Sequence, residues 1–405
     1  MTFLKSHRQL SLNAIMRWML IFIMIALSGA VYFTQIYRLY VTLAFLAVTV
    51  VTIVIENKRI SRESMYITIG FIVILMANYV VNANGMTFSN MIDYCVLMIE
   101  IICVTGVTSI VSIDEFSEKY IRILEIIAII SLICFFIQIT NTSLVNRLAN
   151  TTILEGYSVS WFHTWGWTYI FNRNSGPFWE PGAFQGYLFI AVLFIMRNGN
   201  LEKRCPELLL LMLTILTTKS TTVYILVGFL GAYFFLMYTQ NSIKAGRVKV
   251  ISLFWSVIFF VVIMAGLVLL MRSPIILNKF SSSNESFSYR ILHLTRSVSM
   301  VMEKPFIGFG MMSSSLLKVW EEFGIASNSA GLFVILQFFG LIIGIAYISL
   351  SFFSTVKVFM PLNGIFICIC FSALHLTECL LTFPVYFGFV FFAINMEKTK
   401  IRYSV

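Results

Sequence analysis

The chain alternates between long apolar blocks and short polar connections. Most blocks approach the roughly 20 helical residues that cross about 30 Å of hydrocarbon, so each predicts a membrane-spanning helix. The predicted helices cover residues 15–34, 39–55, 65–82, 91–111, 120–140, 183–197, 206–218, 222–238, 250–271, 328–350, 363–376 and 379–395. The pattern therefore predicts an all-α polytopic bundle of about twelve spans, with residues 1–405 forming a single integral membrane domain.

Composition supports this class. Hydrophobic residues make up 59% of the chain and charged residues 11%, whereas soluble domains average roughly 45–50% and about 25%. The first apolar block carries Arg17 and lacks a small-residue cleavage site, so we interpret it as a span and not as a removed signal peptide. A water-soluble fold is excluded on these grounds.

Positive charge predicts the orientation, because short loops rich in Lys and Arg stay in the cytoplasm. With the N-terminus inside, eighteen of the 28 cations are cytoplasmic and two, Arg38 and Lys219, lie in short outer loops. The other eight lie in two long outer segments, residues 141–182 and 272–327. Both termini are then cytoplasmic. The net charge of +10 is mostly a matter of topology, and no nucleic-acid partner is expected.

Residues 206–238 form either one long helix or two. A single helix would bury Lys219 near the middle of the bilayer, which costs about 2.5–3.5 kcal/mol on insertion scales. Charge therefore favours two helices, separated by a polar turn at residues 217–222. Because 206–218 is short for a span, we expect this turn to lie below the outer surface, in a cavity lined by protein.

The first outer segment is rich in aromatic residues. Four of the seven tryptophans, Trp161, Trp165, Trp167 and Trp179, occur within it. Their rings suit two functions: they can stack on sugar faces, or they can form the interfacial belt in which indole rings settle among lipid headgroups. The sequence leaves both interpretations open.

This segment ends in an irregular, glycine- and proline-containing stretch directly before an apolar helix. Arg173 and Glu180 place a planar cation and a carboxylate near the mouth of the predicted bundle. Such a pair can hold a phosphate while polarising a hydroxyl. The structural alternative is that Glu180 only stabilises the N-terminus of the helix and pairs with Arg173.

The pattern Arg-x-x-Gly-x-x-x-Glu-Pro-Gly-x-Phe over residues 173–184 resembles the signature of O-antigen and exopolysaccharide polymerases of the Wzy type, which are related to O-antigen ligases. The resemblance implies a GT-C-like helical bundle with two long outer loops that contain short helices and arginines important for activity. The predicted layout of this chain is similar along most of its length.

The second outer segment carries further similarity. Residues 286–303 can form a helix in which Arg290, His293 and Arg296 fall within an arc of about 120°. We expect its apolar side to grip the bundle and its cationic side to face a cavity; a solvated face of an interfacial helix is the alternative. The apolar side comprises Ile291, Leu294, Val298, Val301 and Met302.

Two elements follow this helix. Pro305-Phe306-Ile307-Gly308-Phe309-Gly310 resembles the Pro-x-x-Gly-x-Gly element that these polymerases and ligases carry in the same loop. Ser327 and Asn328 precede the next span, where many ligases have His-Asn. The missing histidine favours a polymerase over a ligase.

Carboxylates inside membrane segments are functional candidates, because burying charge there is costly. Glu100 lies in the middle of a predicted span, and Glu378 follows His375 near the outer end of another. For Glu100 a structural hydrogen bond to a neighbouring helix is an equal alternative. His375 and Glu378 are expected to line the cavity.

The resemblance implies an inverting glycosyltransferase of the bacterial cytoplasmic (inner) membrane with a periplasmic active site. It would join undecaprenyl-pyrophosphate-linked oligosaccharide units into O-antigen or exopolysaccharide, with a chain-length regulator and a flippase as further partners. Ligase activity, or transport of lipid-linked sugars, is the alternative. Arg173, Arg290 and Arg296 would stabilise the pyrophosphate, Glu180 would be the base and His293 the second candidate. Substrate would be bound by Lys219, Asn328, Trp165, Trp179, His375 and Glu378.

No cofactor is expected. Pyrophosphate is already a stable leaving group, and the outer segments lack the paired carboxylates that usually hold Mg²⁺ or Mn²⁺. The sequence therefore predicts chemistry that is independent of metal.

Overall fold

The structure is a computed structural model that describes residues 12–148, 151–154, 157–166, 172–199, 201, 203–220, 222, 224, 226–233, 285–324 and 330–403. The described chain is mostly helical. Its helices are α1 (Leu12–Ala26), α2 (Arg38–Ile55), α3 (Arg62–Val81), α4 (Phe88–Ile110), α5 (Ile113–Thr140), α6 (Thr142–Leu148), α7 (Pro181–Asn198), α8 (Cys205–Thr217), α9 (Glu285–Glu303), α10 (Ser314–Glu322), α11 (Gly331–Val358), α12 (Gly364–His375) and α13 (Pro384–Tyr403). A π-helical turn covers Tyr32–Ile36 and a 3₁₀ turn Ala83–Gly85.

Five of the described helices, α2, α3, α4, α5 and α11, are long and apolar enough to cross a membrane. Shorter apolar helices are α1, α8, α12 and the Pro384–Met396 part of α13. These helices confirm the membrane-protein class, and the total of twelve spans stays a prediction. The predicted helix 250–271 lies outside the described residues.

Helix α7 forms the centre of the bundle. Every residue from Pro181 to Met196 is buried, as expected for a helix that is apolar on all sides. It packs against α5 and α8. Phe178, just before the helix, stacks on Tyr187 within it, with ring centroids 4.4 Å apart.

The start of α1, the end of α2, the start of α5 and the end of α7 lie together at one side of the bundle. This grouping is expected for helices that cross a membrane in alternating directions. Near the start of α1, Arg17 pairs with Glu56 after α2 (2.6 Å) and with Glu115 at the start of α5 (2.8 Å). At the end of α7, Arg197 pairs with Asp114 (2.8 Å). We call this side of the bundle the basic end; Arg17 and Arg197 are among the cations that the sequence assigns to the cytoplasm.

The opposite side, called the outer end below after the orientation predicted from the sequence, joins the end of α1 to the start of α13, where the Val385 N–H donates to Ser28 Oγ (2.9 Å). The prediction that α13 begins near residue 379 is wrong by one turn, because the chain turns before Pro384 and proline suits the first position of a helix. Helix α5 begins at Ile113 and not near 120, since Ser112 caps it by accepting from the Glu115 N–H.

Two predicted helices are interrupted by glycines. The first was predicted to run to residue 34, but α1 ends at Ala26 and Gly29 adopts φ +112°. The helix predicted over 328–350 extends to Val358 and is broken at Gly340, with φ +78° and ψ 175°. Positive φ is readily available only to glycine, so both breaks are encoded by the residue type.

The all-α expectation misses a small sheet in the first outer segment. Strands β1 (Thr151–Leu154), β2 (Tyr157–Ser160) and β3 (His163–Gly166) form an antiparallel sheet in that order. The turn at Trp161 and Phe162 joins β2 to β3. Threonine, valine and aromatic residues are enriched in strands, so this composition signals a sheet as well as an interfacial belt.

Residues 206–238 contain a break, as the charge argument predicted. Helix α8 ends at Thr217, Lys219 adopts φ +48°, and residues 226–233 are helical again. Thr218 and Ser220 are buried, while Lys219 is exposed. The turn is therefore set into the protein, as predicted. The Lys219 side chain is exposed, however, and is not enclosed in a cavity.

Candidate active site at the outer end

The stretch before α7 brings Arg173 to the turn that carries Lys219. Arg173 Nε donates to the Thr218 carbonyl (3.0 Å), and the Asn174 N–H donates to the Thr217 carbonyl (3.1 Å). Asn174 is fully buried, and its side chain donates to Thr217 Oγ1 (3.0 Å). Two cations far apart in sequence are thus held at one turn, and Asn174 is a positioning residue that the sequence analysis missed.

The next residues dock against the break after α1. The Val31 N–H donates to the Pro177 carbonyl (2.9 Å), and Ala30 pairs with Phe178 as an antiparallel bridge. The Trp179 ring covers Gly29, where an added Cβ would lie 2.0 Å from the indole. The irregular stretch is therefore fixed by α1.

Trp179 also stacks on Phe383, with ring centroids 5.2 Å apart and an angle of 28° between the planes. The indole ring is half-buried. These contacts give Trp179 a packing role at the outer end.

Two carboxylates flank the first turn of α7. Glu180 is the N-cap residue, is half-buried and makes no capping hydrogen bond through its side chain. Glu378 is 3% exposed, and its Oε1 lies so near Gly182 that a Cβ built there would be 2.0 Å away. The glycine of the Glu-Pro-Gly motif is therefore needed to admit Glu378. A helix N-terminus stabilises negative charge at this position.

The chain around Glu378 joins three parts of the fold. A Cβ built on Gly331, at the start of α11, would lie 2.1 Å from the Glu378 carbonyl oxygen. Thr377 Oγ1 and Thr222 Oγ1 are 3.3 Å apart, which links this loop to the chain after α8. The starts of α7 and α11 and the polar turn therefore meet at Glu378. Asn328 lies outside the described residues.

His375 is fully buried. Its ring lies 5.0 Å from that of Tyr386 and 5.6 Å from that of Phe371. The structure therefore places His375 in an aromatic cluster beneath Glu378, in contrast to the expectation that it lines a cavity. Its neighbour Glu378 keeps the contact with α7.

Trp165 belongs to the interior of the first outer segment. Its ring is fully buried against Cys134 and Val145, and its indole N–H donates to Ser160 Oγ (2.8 Å). A buried ring cannot stack on a sugar, so the binding role predicted for Trp165 does not fit its position. Trp161, at the β2–β3 turn, is 57% exposed. Trp167 lies outside the described residues.

His163 lies beside Trp165, with ring centroids 4.6 Å apart. It is fully buried, and burial lowers the pKa of its imidazole to about 3. The ring is therefore neutral near pH 7, and its place in the small core of the outer sheet makes it a structural residue.

The helix predicted over 286–303 is confirmed as α9, but most of the described part of its predicted apolar side faces outward, with Val301 buried as expected. The apolar side chains of Leu294, Val298 and Met302 are exposed, Met302 by 62%. His293 and Ser297 are buried instead. Lipid accepts an apolar face and protein accepts a polar one, so this orientation is compatible with a helix beside a membrane.

Arg296 lies on the inward side of α9 and is half-buried. A Cβ built on Gly324, just after α10, would lie 3.1 Å from Arg296 Nη1. Arg290 is part of the same helix. Helix α9 packs against α11, and convergence of its arginines with Arg173 stays a prediction.

An apolar cavity of about 270 Å³ lies between α3, α4, α11 and α13. Thr382, in the loop between Glu378 and α13, also lines it. Its apolar lining includes Phe71, Leu75, Leu97, Ile101, Phe339 and Ile343.

Glu100 has a structural partner away from this site. Both of its carboxylate oxygens accept from Arg38, at 3.2 Å each, and Thr42 Oγ1 donates to it at 3.3 Å. Glu100 is fully buried. The structure thus supports the structural alternative for this residue.

Among the described residues, no group of three or more histidine, cysteine, aspartate or glutamate side chains could hold a metal ion. The fold and its long apolar helices define a mostly helical membrane protein. No family model, curated protein or solved structure matches the chain.

Proposed function

We propose that the protein is an inverting, metal-independent glycosyltransferase that polymerises undecaprenyl-pyrophosphate-linked oligosaccharide units at the outer face of the bacterial cytoplasmic membrane. The observation that carries the proposal is that two cations and two carboxylates lie at the same end of the bundle, where the Thr222–Thr377 contact links the turn of Lys219 to the chain beside Glu378. Arg173 is held at the turn of Lys219, and Glu180 and Glu378 flank the first turn of α7.

The cations suit the leaving group. In this reaction the bond between the anomeric carbon and the pyrophosphate oxygen breaks, and the electron pair leaves with the pyrophosphate. The half-buried Arg173 and the exposed Lys219 would stabilise that developing charge, since cations preorganised beside a leaving group favour its departure. Arginine adds a planar fork of donors that matches a phosphate.

The carboxylates suit the acceptor. A hydroxyl of the second lipid-linked unit attacks the anomeric carbon from the opposite face, and its proton passes to Glu180 acting as general base. Glu378, buried against the first turn of α7, would hold that turn and with it Glu180 in position. Because the attack is a single displacement, the configuration at the anomeric carbon is inverted.

The lipid and the second outer segment have places in the same proposal. The cavity beside Thr382 is apolar and would take part of the hydrocarbon chain, with the pyrophosphate at the carboxylate end. The inward face of α9, which carries His293 and Arg296, supports a contribution of this helix to anion binding. The resemblance to Wzy-type polymerases further suggests a flippase and a chain-length regulator as partners.

A transporter of lipid-linked sugars is the second candidate, and the helices broken at Gly29 and Gly340 favour it, because transporters place interrupted helices at their binding sites. An O-antigen ligase would use the same site with another acceptor. Its histidine before Asn328 is absent from this chain.

Purified protein in vesicles with labelled lipid-linked repeat units separates these functions. We expect a ladder of elongated products from the wild type, none from Glu180→Gln, and a normal ladder from the matched control Glu322→Gln, whose carboxylate is exposed at the end of α10. Movement of label across the bilayer without elongation supports the transporter. A normal ladder from Glu180→Gln refutes the assignment of the base.

A further inference from the structure

The break in α11 is filled by the loop that follows α9. The freed backbone groups of the helix pair with this loop, as backbone in a membrane protein must pair internally. Three hydrogen bonds join the two: Leu341 N–H to Pro305 O (2.6 Å), Phe309 N–H to Gln337 O (2.8 Å) and Gly310 N–H to Phe338 O (3.1 Å).

Two glycines make this approach possible. Gly308 adopts φ +71° and Gly340 φ +78°. A Cβ on Gly308 would lie 2.6 Å from the Gly340 nitrogen, and a Cβ on Gly340 would lie 2.4 Å from the Phe306 carbonyl oxygen. The Pro-x-x-Gly-x-Gly element is therefore the part that fits the broken helix.

One side chain fastens the loop to the helix. Asn78, in the last turn of α3, is buried and donates to the Ile307 carbonyl (3.2 Å) and to the Phe338 carbonyl (3.0 Å). Its amide oxygen accepts from the Tyr94 hydroxyl of α4. That hydroxyl accepts in turn from the Met311 N–H (2.9 Å). Four elements of the fold are thus tied together at Asn78.

The junction between the loop 305–310 and the broken helix α11 also holds α9. The loop begins two residues after this helix ends, and Gln337 beside the break donates to Met300 Sδ (3.4 Å) and accepts from the Trp320 indole (3.0 Å). Fixing the loop therefore fixes the position of the inward face that carries Arg296.

We propose that Asn78 is a positioning residue for the glycosyl transfer: it locks the loop 305–310 into the broken helix and thereby sets where α9 presents its cations to the leaving group. This inference rests on the proposed function. Because Asn78 is buried between the loop and the broken helix and does not face the donor, we expect it to affect the rate of glycosyl transfer and not the affinity for the donor.

The test compares Asn78→Asp with Asn82→Asp in nanodiscs. The first variant keeps the size of the side chain and removes both donors; the second makes the same change one turn later, where the amide bonds the Asn78 carbonyl of its own helix. We expect Asn78→Asp to speed amide hydrogen exchange over residues 305–311 at least about tenfold, equivalent to about 1.4 kcal/mol. Exchange over 181–196 should stay at the wild-type rate in both variants.

Elongation kinetics give the second measurement. Asn78→Asp should lower kcat at least about tenfold and leave KM for the lipid-linked donor within about twofold, the pattern of an interaction realised in the transition state. Tyr94→Phe, a milder change, should act in the same direction, and its effect should not add to that of Asn78→Asp. If Asn78→Asp does not fold, Tyr94→Phe provides the same test.

The outcomes separate the two proposals. Unchanged exchange over 305–311 in both Asn78→Asp and Tyr94→Phe overturns the lock. Faster exchange with unchanged kcat, or with a rise in KM alone, overturns the positioning role. If the wild type does not elongate its substrate, the proposed function fails, while the exchange data still decide whether Asn78 holds the loop.

Discussion

Gly182 offers a direct test of the contact between α7 and Glu378. Replacing it with alanine adds a single methyl group to a helix whose backbone tolerates any residue there, since Gly182 is not among the glycines with positive φ. Alanine should itself favour the helix by roughly 0.5–1 kcal/mol. The new Cβ would lie 2.0 Å from Glu378 Oε1, so the carboxylate must move.

The size of the movement follows from the geometry. Ordinary contact at a Cβ begins at 3.4 Å, so Oε1 must retreat by about 1.4 Å. A misplacement of about 1 Å in a positioned group can reduce a rate about 100-fold, which corresponds to about 2.7 kcal/mol of transition-state stabilisation. We therefore expect Gly182→Ala to lower elongation by about two orders of magnitude.

The assay is elongation of a labelled lipid-linked unit by purified variants, with the melting temperature measured on the same samples. Gly70→Ala is the matched control, because a Cβ at this position of α3 meets nothing within 4 Å. It should melt slightly higher and elongate normally. Gly182→Ala should melt within a few degrees of the wild type, since only one side chain is displaced.

A second change sharpens the test. Glu378→Asp shortens the side chain by one methylene, so the carboxylate can withdraw from the added methyl group. The double variant should therefore elongate faster than Gly182→Ala alone, a coupling expected only between residues in contact. Wild-type elongation by well-folded Gly182→Ala would refute the placement of Glu378 in the site.

Three other predictions concern charge. Lys219→Arg should keep part of the elongation activity and Lys219→Ala lose most of it; Lys219→Asn, which tolerates the φ of +48°, should fail equally if charge and not strain matters. Burial lowers the pKa of His163 to about 3, against about 6.5 when unfolded, so the outer sheet should lose stability as pH falls between these values. Faster amide exchange over 157–166 at pH 5 than expected from chemistry alone, absent in His163→Phe, would show it. Arg38→Met should leave Glu100 buried without its partner and cost roughly 3–5 kcal/mol; the double variant with Glu100→Met should melt higher than Arg38→Met, and equal melting temperatures would contradict the ion-pair argument.

Hydropathy predicts most of the described apolar helices within a few residues, because length and composition decide whether a block can form a helix that crosses a membrane. It cannot locate the breaks. The apolar pattern continues through Gly29 and Gly340, and only a partner elsewhere in the chain makes a broken helix stable. Those partners, residues 177–179 and 305–310, come from the two outer segments.

The orientation of α9 shows a second limit. In water the apolar face of a helix packs inward, but beside lipid the apolar face can point outward. The spacing of Arg290, His293 and Arg296 predicts that they share one face of the helix. It does not predict whether that face points towards the bundle, because this depends on how the helix packs in the fold. Exposure of Leu294 and Val298 departs from the expected arrangement.

The site itself was partly visible in sequence. Arg173, Glu180 and Lys219 stand out because polar residues are few at the edges of apolar blocks. The pairing of Gly182 with Glu378 was not visible, since it joins opposite halves of the chain. The predicted sugar-binding role of Trp165 does not fit its position for a related reason, because an aromatic residue in a polar loop can belong to a small local core.

The docking of residues 177–179 onto the break after α1 has a consequence for biogenesis. The Val31 N–H, whose partner is the Pro177 carbonyl, emerges from the ribosome long before that partner is made. Until α7 inserts, this donor must bond to water or to lipid headgroups, which its position at the outer end allows. The loop 305–310, in contrast, precedes α11, so its partners for Gly340 are already synthesised. The segment after α1 therefore completes its hydrogen bonds only when the chain just before α7 arrives.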